Sequence, residues 1–241
     1  MIWFNEESIL DVAPVRIVDV LVSPIRMTPT ARQRPIKWGA DFVRMTGGER
    51  TVDIEFALLT DSAMNRQEQL RQLARWARQA APGALRIDGH EGVHLSAVCT
   101  GLPEPSYRQW WESKLRITFT CFEPYWLSDI PQAKAFSSGS VSAYIAGDAP
   151  ALARIAWTNT AVSDWAFASG GRTMAFEGIP AGDVVIDLNR QTAACGGVSV
   201  MEKFVLSPTN AFILPACGNV EINCATTAAD TPVLRWVSRW E

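Results

Sequence analysis

Thr51-Val52-Asp53-Ile54-Glu55-Phe56-Ala57-Leu58 alternates without a break between apolar and polar or small residues. A period of two places Val52, Ile54, Phe56 and Leu58 on one face of a half-buried strand. Outward from it, Val15 to Val22 is rich in Val and Ile and reads as a second strand. On the other side, Ala63 to Ala81 reads as an amphipathic helix. Leu70, Leu73, Ala74 and Ala77 repeat at helical spacing, and Arg66, Arg71, Arg75 and Arg78 decorate the opposite face. Asp61 or Ser62 can cap its start, and Pro82-Gly83 ends it. Leu85 to Ile87 and Val93 to Val98 read as strands flanking a Gly-rich turn. Leu115, Ile117, Phe119 and Cys121 alternate in a further strand, and Glu123-Pro124-Tyr125-Trp126 closes this half.

Inside this frame sits a long arm, Ser23 to Gly48, with Pro24, Pro29, Pro35, Gly39, Gly47 and Gly48 and poor periodicity. Long irregular segments of compact domains are usually functional or engaged with a partner. The arm gathers Arg26, Arg32, Arg34, Lys37 and Arg44 around Trp38. Basic residues mixed with an aromatic suit a single-strand nucleic-acid platform. They suit a subunit-contact arm better, because Arg and Trp anchor interfaces. The six are therefore the expected subunit-interface residues.

Beyond Trp126 the pattern changes. Residues 132–142, with Ser137-Ser138-Gly139-Ser140 at their centre, read as a linker. After them no segment has a helical period. Ala153 to Trp157, Val184 to Leu188, Val198 to Val200, Asn219 to Asn223 and Val233 to Val237 are short β-like runs punctuated by Gly and Pro, the spacing of a β-sandwich. The expected organisation is an α+β domain over 1–131 with one main helix, the linker, and an all-β domain over 143–241.

Composition excludes several classes. The chain has 241 residues, 48% apolar and 20% charged, so a packed core is available and global disorder is excluded. A net charge of −3 argues against a nucleic-acid binder with a basic footprint. No apolar run is long enough to span a bilayer. Met1 to Leu10 carries Glu6 and Glu7 and has no signal-peptide pattern, so no membrane partner is expected. The five cysteines form an odd set without C-x-x-C spacing and read as reduced thiols. Ten tryptophans, and 18 arginines among 22 basic residues, favour protein–protein contact, although most Trp are expected in sandwich cores.

His90-Glu91-Gly92-Val93-His94 matches the H-E-x-x-H zinc-peptidase motif. That chemistry needs both imidazoles one turn apart on a helix, with the Glu beside them. Here Asp88-Gly89 precedes the motif, Gly92 interrupts it and a β-like run follows, so a polar hairpin turn is expected. The nucleophile, phosphate-loop and dinucleotide motifs are missing, and nothing singles out two of the scattered carboxylates for glycoside hydrolysis. No catalytic residue, metal ligand or cofactor is expected. Trp157, Trp165 and Phe167 would stack on sugars if exposed and fill the core if not.

Several of these pieces, in order, resemble the distal tail proteins of long, flexible-tailed phages. Phe4-Asn5, then a strand, an arm, the strand Thr51 to Leu58, an amphipathic helix ending Ala74-Arg75-Trp76, and Leu85-Arg86-Ile87 before a turn are similar to the family's N-terminal domain. The strand Leu115 to Phe122 running into Glu123-Pro124-Tyr125-Trp126 looks like its end. In the second half, Gly147-Asp148-Ala149-Pro150, Gly182-Asp183-Val184-Val185-Ile186-Asp187, and Phe212-Ile213-Leu214-Pro215 with Gly218-Asn219-Val220-Glu221-Ile222 resemble segments of its C-terminal sandwich. The resemblance implies a non-enzymatic structural subunit at the virion tail tip, made in the host bacterial cytoplasm. Its N-terminal domain, a β-sandwich with one main helix, would close into a hexameric ring. A galectin-like or carbohydrate-module-like sandwich would follow it. Partners would be other copies of the chain, the tail tube protein and the tail hub or fibre protein, with DNA only as passing cargo.

Three readings stand at this level: a ring-forming tail subunit, a carbohydrate-binding adhesion module at the host surface, and a zinc peptidase built on His90 and His94. Defined self-association separates the first, glycan binding by the second half the second, and metal content the third.

Overall fold

A computed structural model describes residues 1–33, 40–60, 62–103, 114–205, 212–226 and 230–241, the side chains at 28, 30–33 and 40–47 excepted. The chain divides into two compact units, Met1–Trp126 with Glu241, and Leu127–Trp240.

The first unit contains β1 (Ile2–Phe4), β2 (Glu7–Ser8), a short α1 (Ile9–Val12), β3 (Val15–Val22), β4 (Met27–Gln33), β5 (Ala40–Gly47) and β6 (Arg50–Leu58). The helix α2 (Ala63–Ala77), β7 (Gly83–Ile87), β8 (Val93–Gly101) and β9 (Lys114–Ser128) follow. Seven strands form a sheet in the order β3-β6-β9-β8-β7-β1-β2, while β4 and β5 pair only as a two-stranded sheet of their own. The alternation of β6 acts as expected: Val52, Ile54 and Phe56 are fully buried, and Asp53 and Glu55 lie on the opposite, half-buried face. On that face Arg116 of β9 bonds Glu55 at 2.5 Å and lies 3.9 Å from Asp53, which also accepts from Thr118. The Arg116 guanidinium holds the Glu55 carboxyl below the usual carboxylate range.

Helix α2 covers the buried side of the sheet with Leu70, Leu73, Trp76 and Ala77. Its Trp76 ring meets Phe4 of β1 and Phe119 of β9 at 5.9 and 6.1 Å, and those two rings lie 5.0 Å apart. Three elements distant in sequence are joined through this aromatic cluster, and the Trp76 indole N–H is satisfied by the Glu7 carbonyl at 3.1 Å. Ser62 caps the helix by accepting from Asn65 N–H. The expected helix ran to Ala81; the observed one stops at Ala77, with Arg78 extended. Position 83 has to be in β7 already, against Asn5: a Cβ at Gly83 would lie 2.4 Å from the Asn5 side chain. Arg66, expected on the polar face, is buried.

The second unit is a sandwich of β10 (Gln132–Ala135), β11 (Ser140–Ile145), β12 (Ala149–Asn159), β13 (Ser163–Ser169), β14 (Arg172–Ile179), β15 (Gly182–Asp187), β16 (Thr192–Cys195), β17 (Val198–Ser199), β18 (Gly218–Thr226) and β19 (Val233–Trp240). One sheet runs β17-β16-β15-β12-β19-β10, the other β11-β18-β13-β14. Their inward residues share one core around Phe136, Trp157, Trp165, Phe167, Phe176 and Trp236. Residues 132–142, expected as a linker, are built into this unit: β10 pairs with β19, and Ser138 and Gly139 form a two-residue turn into β11. Both have positive φ, 51° and 78°, the geometry that lets two antiparallel strands reverse without splaying. A short Ser/Gly run serves a tight turn as well as a flexible tether, and the flanking strands decide between them.

One polar cluster is enclosed in the second unit. The Asn159 amide donates to the carbonyls of Ile179 and Pro180, and its oxygen accepts from the Ser163 hydroxyl at 2.7 Å and the Trp165 indole at 3.2 Å. Asn159 therefore satisfies groups from two further segments, 163–165 and 179–180, at once inside the core. Asn159→Ala is expected to lower unfolding stability by about 2–4 kcal/mol, since several buried partners lose their bonds together. Urea denaturation followed by Trp fluorescence checks this, and a loss below about 1 kcal/mol would contradict it.

Candidate subunit interface

The arm between β3 and β6 is more regular than its sequence. Met27–Gln33 and Ala40–Gly47 pair antiparallel, Arg32 opposite Asp41 and Thr30 opposite Arg44, with a bulge between Thr30 and Ala31. The pairing tolerates Pro29 for a physical reason: among the described residues its strand and the partner strand have no further neighbour, an edge setting in which a missing N–H costs little. The hairpin is fastened at its base, where Arg26 N–H donates to Glu49 O and Gly48 N–H to Arg26 O at 3.2 and 2.8 Å. Ser23 Oγ accepts from Thr51 N–H at 2.8 Å, fixing the start of the arm to β6.

Of the six expected interface residues, Arg26 is exposed at the hairpin base, and Arg32 and Arg44 lie in its two strands. Arg34, Lys37 and Trp38 lie outside the described residues. A strand-addition site on Thr51–Leu58 itself, one receptor the sequence suggests, is not available, because β6 is paired along both edges, to β3 and to β9. Among the described residues its neighbour β3 ends the sheet, and it exposes Val18 and Leu21.

The H-E-x-x-H residues occupy a turn and a strand. Gly89 and Gly92 both have positive φ, 85° and 78°, which breaks any helix there. His94 lies in β8, whereas the His90 ring stacks on Trp126 at 4.2 Å, 16° from parallel. The two imidazoles are therefore not presented as a helical pair. Among the described residues, no three His, Cys, Asp or Glu side chains are grouped to hold a metal ion.

This turn borders a cleft of about 300 Å³ that the sequence reading missed. Trp3 and Arg86, cross-strand neighbours on β1 and β7, line it together with Glu6 and residues of the 87–93 turn, among them Asp88, His90 and Glu91. Asp88 takes an ion pair at 3.0 Å from the Met1 amine. Only the pairing of β1 with β7, 80-odd residues apart, brings these groups together, so no local pattern announces them.

The cysteines carry free thiols; burial pushes those of Cys121 and Cys224 up to about 11. Trp157, Trp165 and Phe167 are buried in the sandwich and do not face solvent. Among the described residues, no helix is long and apolar enough to cross a membrane.

No protein-family model matches the sequence, and no curated protein matches it significantly. Solved structures do. The Dit protein of phage SPP1, described as a paradigm of the hub adsorption apparatus in phages infecting Gram-positive bacteria, superimposes with a TM-score of 0.73. The match covers 100% of this chain and 98% of that one at 11% identity. The baseplate of phage P2 in its activated conformation with calcium matches over 95% of this chain and 92% of that chain, with a TM-score of 0.49 and 9% identity. Over its whole length the chain has the fold of a phage Dit hub protein.

Proposed function

We infer that the protein is a structural, non-enzymatic subunit of a phage or prophage tail tip, a distal tail protein. The observation that carries this reading is the likeness to SPP1 Dit, which runs through both units and leaves almost nothing of either chain unmatched. In this reading the first unit is a ring-forming domain and the second a galectin-like sandwich. Six copies close into a ring that joins the tail tube protein to the tail hub or fibre protein, DNA passes through as cargo, and the protein is made in the host cytoplasm. A closed ring needs a head-to-tail interface between two different surfaces. The β4–β5 hairpin supplies the first surface: a two-stranded sheet alone is marginal in water and gains from docking, and this one is rich in interface-forming residues. Burial of Trp157, Trp165 and Phe167 removes the aromatic platform that a carbohydrate-binding reading would use.

Full-length protein is expected to form a discrete assembly by multi-angle light scattering. Deleting 27–47 is expected to leave monomers, and Trp38→Ala to weaken each joint by about 2 kcal/mol or more. A monomeric full-length protein, or an assembly unchanged by the deletion, contradicts the reading. The second unit, expressed as 127–240, is expected to fold alone with a β-type circular dichroism spectrum and one cooperative melt; an unfolded fragment contradicts its standing as a domain. Protein purified without added metal is expected to carry substoichiometric zinc by mass spectrometry, and His90→Ala with His94→Ala to leave that content unchanged.

A further inference from the structure

We propose that the cleft between Trp3, Arg86 and the 88–92 turn receives an arginine side chain from the β4–β5 hairpin of a second copy of this chain. The proposal rests on the ring reading and names the surface that receives the hairpin.

The cleft has the chemistry of a guanidinium site. Its volume of about 300 Å³ is at the small end of ligand pockets and suits one long side chain. The half-buried Trp3 ring offers an aromatic wall, against which a planar cation stacks. Glu6, Asp88 and Glu91 offer carboxylates, the groups a guanidinium pairs with through two parallel hydrogen bonds. Among the residues that line the cleft these three acids outnumber the one base, Arg86, and Asp88 is also paired with the Met1 amine. The hairpin is the opposite: between Arg26 and Gly47 it carries five basic residues and one acid, Asp41, a net charge of +4. The open edge of β3 lacks this complementarity, since its exposed charges, Arg16 and Asp19, cancel.

The cleft is also held in shape. His90 N–H donates to Ile87 O at 3.2 Å and Asp88 N–H to Met1 O at 2.9 Å, while the His90 ring is clamped on Trp126. A preorganised turn loses little entropy on docking. Hairpin and cleft are different surfaces of the same unit, so one copy can give its hairpin and receive its neighbour's, as a head-to-tail ring requires.

The test is charge exchange in the full chain. Glu91→Arg, at an exposed turn position, is expected to raise the concentration at which the assembly half dissociates at least about tenfold. In a Glu91→Arg background, one of Arg26→Glu, Arg32→Glu or Arg44→Glu is expected to restore assembly, and that restoration separates a docking contact from a folding defect. Arginine hydrochloride is expected to dissociate the wild-type assembly at concentrations where sodium chloride of equal ionic strength does not, and to shift the Trp3 indole resonance. If wild type assembles and Glu91→Arg leaves it unchanged, or no hairpin reversal restores the variant, the cleft is not the receiver and the ring reading survives. If the wild-type protein is monomeric at every concentration, both fall. A Trp3 shift with neutral sugars but none with arginine would overturn the proposal in favour of a glycan site.

Discussion

Strand β6 is hydrogen-bonded along both edges, to β3 from Val52 to Leu58 and to β9 from Arg50 to Ala57. With side chains alternating at a period of two, a shift of either register by one residue would turn Val52, Ile54 and Phe56 outward and bury Asp53 and Glu55. The cost of that exchange, several fully buried apolar side chains against desolvated carboxylates, fixes the register of three strands together. The outer face reinforces the choice, because Arg116 of β9 meets Glu55 and Asp53 only in this alignment. The remaining architecture of the first unit hangs on it. Phe119 of β9 meets Trp76 and Phe4 because β9 is held in this register, and through those rings α2 and β1 take their places.

The hairpin follows from the same strand. Its entering end is bound to the start of β6, through Ser23 on Thr51 and through Arg26 on Glu49 just before it. The chain leaves the sheet after β3 and must return to it at Arg50, so the arm projects from a rigid base rather than hanging from a loose loop. A basic, Arg-rich hairpin on a rigid base is suited to docking, since the ordering cost at its root is already met within the subunit.

At the far end of the sheet, β1 turns back through Asn5 and Glu6, both at positive φ, 50° and 70°. Asn5 also accepts from Ala84 N–H at 3.0 Å, and its own N–H donates to Ala84 O, tying the turn to β7. That tie explains why Gly83 is needed there, why α2 ends early, and why Trp3 and Arg86 become neighbours. One contact between residues 79 positions apart thus shapes both the helix boundary and the cleft.

The sequence by itself determined the strands with unbroken alternation, β6 and the first part of β9, and a helix start capped by Asp61 or Ser62, of which the structure uses Ser62, because each is written in local period and capping chemistry. It also disfavoured a helix shared by His90 and His94, since Gly89 and Gly92 weaken one locally. The fold resemblance was legible through the order of such pieces along the chain. Tertiary structure decided the rest. Strands β13 and β14 bury Trp165, Phe167, Met174 and Phe176 between alanines, too weak a contrast to stand out alone. Ser138-Gly139 became a turn because β10 and β11 found partners in β19 and β18. Pro29 entered a strand because its hairpin forms a sheet of its own. The cleft joins residues 3 and 6 to residues between 86 and 93, and strand pairing across that separation depends on a register set by the whole buried face, which no local window of sequence contains.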